Sequence, residues 1–223
     1  MFVQLRDAQF KDLKALAYCH MAAFPASLTT AMGYQYTKKT LEWYIYEPDA
    51  ILVMAEDDCG KALGYAGGLL VTAKTKQGST TAMSQFAFKD ALLAICIRPW
   101  LVFHPQVKRH YPYIRYFIKR QLKNYFRNKK VPPNRPQMQT STIIRNTMGL
   151  VGIGILPEFQ GRGVGSSLLK AFESRSRAIG AECMDLSVEP ENNKAIRSYE
   201  RNGWNRVENE GHHFMMHKEL KSN

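Results

Sequence analysis

Between Asp90 and Glu158 the chain has no aspartate or glutamate, yet the same interval holds twelve lysines and arginines. The whole protein, 223 residues long, has a formal net charge of +12, so outside this interval 19 basic residues face 19 acidic ones. Its basic character therefore belongs to one segment. Cysteine is scarce: Cys19, Cys59, Cys96 and Cys183 stand far apart, without paired or metal-type spacing, which excludes a disulfide-stapled scaffold. The first residues show no charged-then-apolar-then-small signal pattern, and a reducing cytoplasm is the expected location. No apolar run approaches the ~20 residues that span a bilayer; the longest candidate, Ala91 to Phe103, is interrupted by Arg98 and Pro99. At 45% hydrophobic residues the chain can bury the core of one domain that carries a large insertion.

The richest stretch runs from Met148 to Glu173. Leu150 to Leu156 reads as a strand, Pro157 stops it, a glycine-rich turn follows, and Val164, Leu168, Leu169, Phe172 and Ile179 continue at helical spacing. Gly161, Gly163 and Gly165 remove side-chain bulk on alternate residues, so successive N–H groups can converge at the helix N-terminus, where anions are attracted. Two phosphate-binding designs fail on spacing. A dinucleotide fingerprint needs glycine at the sixth position, but Ser166 stands there counting from Gly161 and Pro157 counting from Gly152; a Walker loop needs a Lys before Ser or Thr, which is absent.

A second strand and helix follow. Met184, Leu186 and Val188 alternate with Cys183, Asp185 and Ser187; Asn192 or Asn193 can cap a helix with Ala195, Ile196 and Tyr199 on one face, and Asn202-Gly203 ends it. The run Gln160-Gly161-Arg162-Gly163-Val164-Gly165 resembles the pyrophosphate loop of the GNAT superfamily of acyl-CoA-dependent N-acetyltransferases, and the series Val188, Asn192, Ala195, Tyr199, Gly203, Trp204 resembles the next unit of the same family. The resemblance is strong over roughly the last 75 residues and weak over the first 70. It implies an α+β fold of three layers, α/β/α, with a central mixed, mostly antiparallel sheet. It also implies one domain over residues 1–223, in which 72–147 form a basic, largely helical insertion between the third and fourth strands.

Residues 2–6 can form a first strand, and Phe10 to Phe24 a helix with Leu13, Leu16, Ala17, Met21 and Phe24 inward. His20 shares that apolar face and reads as buried and hydrogen-bonded in preference to catalytic, because burial lowers its basicity. Pro25 breaks the helix, and a loop leads to a second helical segment around Tyr36 to Tyr46. By resemblance this loop borders the acceptor pocket, which makes Ser27, Thr29 and Thr30 substrate-loop candidates; helix capping is the competing use of the same residues. Ala50 to Ala55 and Ala62 to Val71 read as a hairpin. Gly64, Gly67 and Gly68 in its second strand suggest a bulge or a close backbone approach.

Inside the basic interval, Ile114, Phe117, Ile118, Leu122 and Tyr125 repeat at helical spacing, with Arg115, Lys119, Arg120, Lys123 and Arg127 on the other faces. Three uses stay open for this helix. It can pack on the domain with its charges solvated, lie on an anionic membrane with Trp100, Leu101 and Phe103, a peripheral contact through 91–130, or flank the cleft and draw in a phosphorylated acceptor. Nucleic acid is disfavoured, because aromatic and basic residues follow a helix face and no nucleic-acid motif. The chain closes with Trp204 to Val207, a polar turn at Glu208 to Gly211, and His213 to Leu220, a hairpin pattern. His212, His213 and His217 fit no metal-ligand spacing, and no metal is expected.

Acetyl transfer from a thioester to an amine needs the donor held, the carbonyl oxygen stabilised, the thiolate protonated and the amine neutral. By resemblance the N–H groups of Gly161, Arg162, Gly163, Val164, Gly165 and Ser166 hold the CoA pyrophosphate, with Gln160 the first residue of the motif and Arg162 an added charge. The strand end at Ile153, Gly154 and Ile155 takes the pantetheine arm and offers an N–H to the thioester oxygen. Asn192 is a cofactor contact, and Tyr199 is the acid that protonates the thiolate. The central strand carries no Asp, Glu or His, and Ser187 stands where some relatives place a glutamate; a water chain, Asp185 or Glu189 are the remaining ways to remove the amine's proton. The expected activity is transfer from acetyl-CoA to a primary amine in a ternary complex. The acceptor is a small amine, such as a nucleotide- or lipid-linked amino sugar; a protein amine, or a CoA-binding module recruited to a membrane or partner, are the alternatives.

Overall fold

Two strands in the first half of the chain are apolar almost without a break. β2 (Ala50–Glu56) and β3 (Ala62–Val71) are buried at nearly every position, as expected of strands covered by helices on both faces. The computed structural model, which describes residues 3–72, 75, 79–109, 115, 119, 145–207 and 214–220, bears this out. On one face Leu52, Met54, Tyr65 and Leu69 pack with Leu13, Leu16 and Ala17 of α1 (Leu13–Ala23) and Leu41 and Tyr44 of α3 (Tyr34–Tyr46). On the other face Val53, Ala55, Ala66 and Leu70 pack with Leu168, Leu169 and Phe172 of α7 (Val164–Ala178) and Ile196 of α8 (Asn193–Arg201). Three layers result.

Seven strands form one sheet in the order β1-β2-β3-β4-β5-β7-β6. Besides β2 and β3 these are β1 (Gln4–Asp7), β4 (Thr147–Ile155), β5 (Cys183–Val188), β6 (Asn205–Val207) and β7 (Phe214–Glu219). Among the described residues only β4 and β5 run parallel to each other, and every other pair is antiparallel. The last hairpin reverses on entering the sheet, so β7 lies beside β5 and β6 takes the edge.

The bulge expected in β3 lies beside Gly64, where Leu63 is the extra residue against β2, and a second, between β3 and β4, falls on β4. Gly67 faces Gly152 while Gly68 faces Leu150, which leaves Val151 as the extra residue on β4. The extra residue exchanges the faces of the strand. Met148 and Leu150 before it, and Ile153 and Ile155 after it, all turn to the α7 core, and Gly152 and Gly154 turn toward α1.

Local boundaries shift where chain geometry competes with pattern. The helix expected from Phe10 starts as a 3-10 turn, Phe10–Asp12, before α1. The fourth strand begins at Thr147, three residues earlier than its apolar run. Within 72–147, expected as an insertion, α4 (Ser79–Phe86), α5 (Phe88–Ile97), a 3-10 turn (Pro99–Phe103) and α6 (Pro105–Arg109) are described. Arg98 Nη1 donates to Met32 O at 2.7 Å, and Gln106 Oε1 accepts from Leu28 N–H at 2.8 Å, so this part is fastened to α2 (Leu28–Met32) and its C-terminus. Leu101, grouped above with Trp100 and Phe103, turns inward instead. The amphipathic helix read over 114–127 lies outside the described residues except for Arg115 and Lys119, which are exposed. The polar turn at 208–211, His212 and His213 lie outside them as well.

One ion network ties the N-terminal strand to the sheet. Arg6 donates to both oxygens of Asp12 at 2.6 and 2.9 Å and to both of Glu56 at 2.9 and 2.7 Å. The Arg6 hydrogen bonds hold the Asp12 carboxyl below its ordinary value. Removing the guanidinium leaves two buried carboxylates facing each other, so Arg6→Met is expected to lower stability by about 3 kcal/mol, read from the urea midpoint. Because the Asp12 value is depressed on folding, its contribution is complete above the unfolded value of about 4 and is lost as pH falls through the folded one. Stability of the native protein should thus fall below about pH 4, and that of Arg6→Met less steeply.

Candidate active site

β4 and β5 are paired only at Thr147–Gly149 against Cys183–Asp185. Past Gly149 they separate, while β4 continues along β3 to Ile155. The Leu156 N–H donates to Leu63 O at 2.9 Å; in an antiparallel pair, backbone groups alternate between the two sides. Those of Gly152 and Gly154 thus face β3, and the Gly154 carbonyl oxygen lies 2.8 Å from where a Cβ on Gly64 would stand. Those of Ile153 and Ile155 face the opening. An unpaired strand edge lines one wall of the resulting cleft.

The glycine turn closes one end of that edge. After a 3-10 turn at Pro157–Phe159, Gly161 and Gly163 adopt φ +76° and +85°. No atom lies within 4 Å of a Cβ placed on either of them. It is the backbone conformation that demands glycine here, and the space above the turn is open. Gly163 caps α7, and Ser167 N–H bonds back to Gly163 O at 3.0 Å. The N–H groups of Val164, Gly165 and Ser166, in the first turn, have no acceptor within the helix. Arg162 lies over the Phe159 ring at 5.8 Å. Gln160 connects the parts: its Nε2 donates to Ile155 O at 3.1 Å and its Oε1 accepts from Lys194 Nζ at 2.8 Å.

On the α7 side, α8 brings in the other two motif residues. Asn192 caps this helix, its Oδ1 accepting from Ala195 N–H at 3.2 Å. Tyr199 is half-buried against the core, its ring centroid 5.9 Å from that of Trp204. Burial pushes its hydroxyl up to about 12, and the hydroxyl has no hydrogen-bond partner among the described residues. Asn202, at the end of α8, donates to Ser166 Oγ at 3.1 Å. The two helices are joined beside the turn.

The remaining candidates are placed apart from this group. Ser27 caps α2: its Oγ accepts from Thr30 N–H at 3.2 Å and donates to Thr30 Oγ1 at 3.1 Å. Thr29 O accepts from Thr37 Oγ1 at 3.1 Å. Asp185 Oδ1 is 2.6 Å from His217 Nδ1, and Glu219 Oε1 is 3.0 Å from its Nε2. Burial opposes the charged imidazole, but the bonds to Glu219 and Asp185 prevail and raise His217. Asp185 is thereby committed to a charge pair. Lys194 escaped the sequence reading because a long surface side chain carries no periodic signal, and Asn202 was read there only as the end of a helix.

An anion and an extended polar arm fit what these residues present. The turn offers uncapped N–H groups above open space, and the β4 edge offers backbone groups without a strand to bond. Residues 134–204 match the model of the acetyltransferase (GNAT) family. The mycothiol acetyltransferase of Propionibacterium freudenreichii subsp. shermanii is 42% identical over 55 residues, which are 25% of this chain and 18% of the relative's length. Among solved structures, the PaiA N-acetyltransferase of Thermoplasma acidophilum in complex with coenzyme A superposes with a TM-score of 0.56 at 12% identity, covering 98% of this chain and 99% of that one. YncA of Salmonella typhimurium with acetyl-CoA gives 0.55 at 15% identity, covering 99% and 95%. At these identities the superpositions speak for the fold, while the sequence match covers the turn and the helix that follows β5. The likeness to the GNAT acetyltransferase family thus lies, by sequence, in residues 134–204, and the described residues share the fold of GNAT acetyltransferase structures.

Proposed function

We propose that the protein transfers an acetyl group from acetyl-CoA to a primary amine within a ternary complex. The observation that carries this reading is the cleft between β4 and β5, which ends at the N-terminus of α7. Val164, Gly165 and Ser166 would hold the pyrophosphate by their N–H groups, with Arg162 beside them. Ile153 and Ile155 would hold the pantetheine arm, and one amide on this edge would stabilise the carbonyl oxygen as it gains charge. Tyr199, kept protonated by burial, would give its proton to the departing thiolate. Asn192 would contact the donor from the start of α8.

Ser27, Thr29 and Thr30 would border the acceptor. A negatively charged amine, for instance a nucleotide- or lipid-linked amino sugar, suits the excess positive charge of the insertion. Thiol release from acetyl-CoA against such sugars, small amines and peptides tests the reading and names the class; release with peptides alone would favour a protein acceptor.

A second observation concerns location. Leu93 and Ile97 of α5, with Trp100, Val102 and Phe103, are exposed within one short stretch, Trp100 at 63% and Phe103 at 68%. Lys108 Nζ stands 5.9 Å from the Phe103 ring centroid, and exposed Arg115 and Lys119 follow. Apolar side chains among positive charges suit an anionic bilayer surface, whereas a second copy would oppose like charge to like. Among the described residues no helix is long and apolar enough to cross a membrane, so this contact is peripheral.

Gly163→Val is expected to weaken acetyl-CoA binding about tenfold or more by calorimetry, because it forces a left-handed backbone on a β-branched residue. Tyr199→Phe should leave that affinity unchanged and lower kcat about 100-fold. With the Tyr199 hydroxyl raised to about 12, kcat should show no alkaline decline from this group below about pH 11. Cosedimentation with phosphatidylserine vesicles, and none with phosphatidylcholine, is the expected membrane result; the double variant Trp100→Ser, Phe103→Ser should abolish it.

A further inference from the structure

Opposite the cleft's α7 wall, on the α1 face of β4, sits a pair of polar side chains that the reaction as described does not use. Tyr65 of β3 and His20 of α1 share a hydrogen bond of 2.6 Å between the hydroxyl and Nδ1. His20 Nε2 is buried and has no hydrogen-bond partner among the described residues. An orphaned polar atom of this kind costs stability; the rings of Phe24 and Tyr65 lie beside the imidazole, their centroids 5.1 and 6.0 Å away.

The position of the pair is set by two missing side chains. After the bulge at Val151, β4 presents Gly152 and Gly154 to this face. A Cβ on Gly154 would stand 2.8 Å from Tyr65 Cε1 and 2.9 Å from Phe24 Cε2, and one on Gly152 would stand 3.8 Å from the Tyr65 hydroxyl. The Tyr65 ring therefore lies across β4 at the point where a larger residue would exclude it. Its hydroxyl reaches Gly152, the neighbour of Ile153, whose amide faces the cleft. A hydroxyl with an imidazole behind it stands beside the strand edge that lines the cleft, on a strand that itself has no Asp, Glu or His.

We propose that Tyr65, backed by His20, removes the proton from the acceptor amine; this rests on the acetyltransferase reading above. As the amine nitrogen bonds to the thioester carbon and the carbon–sulfur bond breaks, the nitrogen's proton passes to the Tyr65 oxygen, while the proton of Tyr65 passes to His20 Nδ1. Tyr199 supplies a proton to the sulfur; after the products leave, His20 returns its proton through Tyr65 to water in the cleft and Tyr199 takes one up from water, so that protons and charge balance. Tyr65 is the catalytic residue in this assignment and His20 the positioning residue that receives the relayed proton. The relay requires one tautomer: Nδ1 accepts and Nε2 carries the hydrogen.

The surroundings are consistent with a neutral resting pair. Burial alone lowers His20, to about 4, and no charged group is among the causes. Tyr65 is raised by burial and by Tyr44 of α3 and Cys19 of α1, both themselves raised by burial and neutral; Glu158 acts on Cys19. The imidazole is therefore a free base throughout the neutral range.

Tyr65→Phe deletes one oxygen and His20→Gln preserves size, so both should fold; thermal unfolding and acetyl-CoA affinity within twofold of the native protein confirm it. Nitrogen-15 NMR of the native imidazole should show a neutral ring with hydrogen on Nε2; hydrogen on Nδ1 would overturn the relay whatever the activity. With the best amine from the thiol-release panel, both variants should lower kcat about 100-fold. Because the step starts from the neutral amine, native and variant kcat alike should climb with pH up to the amine's own pKa, the variants staying about 100-fold lower throughout. A Tyr65→Phe enzyme with native kcat and pH profile would overturn the proposal alone. Native protein without turnover would remove the acetyltransferase reading and the proposal with it.

Discussion

The parallel contact between β4 and β5 lasts three residues, and the rest of the architecture is arranged around its ending there. Strands in a sheet normally satisfy each other's backbone groups along their full common length. Here the extension from Leu150 to Ile155 has a strand partner on one side only, and two features on the β4 side accompany the separation. The bulge at Val151 bends β4 and reassigns its faces, while Gln160 occupies the Ile155 carbonyl beyond it. An edge in the middle of a sheet would invite pairing with another chain. Its enclosure between helices admits a narrow polar arm in place of a strand.

Everything needed for the proposed chemistry then follows from proximity to that opening. The turn before α7 provides positive electrostatic potential at one end without spending a side chain. Helix α8 delivers Tyr199 from the α7 side, and β3 with α1 delivers Tyr65 from the other. Donor and acceptor groups thus approach one strand from opposite faces. A sheet separates them, which keeps a proton-giving phenol and a proton-taking phenol from neutralising each other's task.

Legibility in the sequence tracked the kind of signal involved. The strand, turn and helix from Leu150 onward were readable, because proline, alternating glycines and a helical stripe are local features. The fully buried β2 and β3 were readable as strands from their β-branched and apolar runs. The order β5-β7-β6 was not, since which strand of a hairpin enters a sheet depends on packing rather than on the hairpin's own residues. The Arg6 network was invisible because its partners, Asp12 and Glu56, come from different elements. His20 was read as buried and bonded, and it is half-buried and bonded; the place of its partner Tyr65 over Gly154 depends on the bulge at Val151, a one-residue offset on β4 where none was expected.

The hydrogen bonds around α8 limit how this molecule can accommodate a guest. Lys194 near its start is tied to Gln160 and so to the end of β4, and Asn202 past its last residue is tied to Ser166 in the first turn of α7. A rod pinned at both ends to its neighbour cannot swing as a door. Widening of the aperture on this side would have to break two polar clasps together; under the proposed function, adaptation to acceptors of different girth would fall to the opposite rim, where α2 bonds through the Met32 and Leu28 backbone to Arg98 and Gln106.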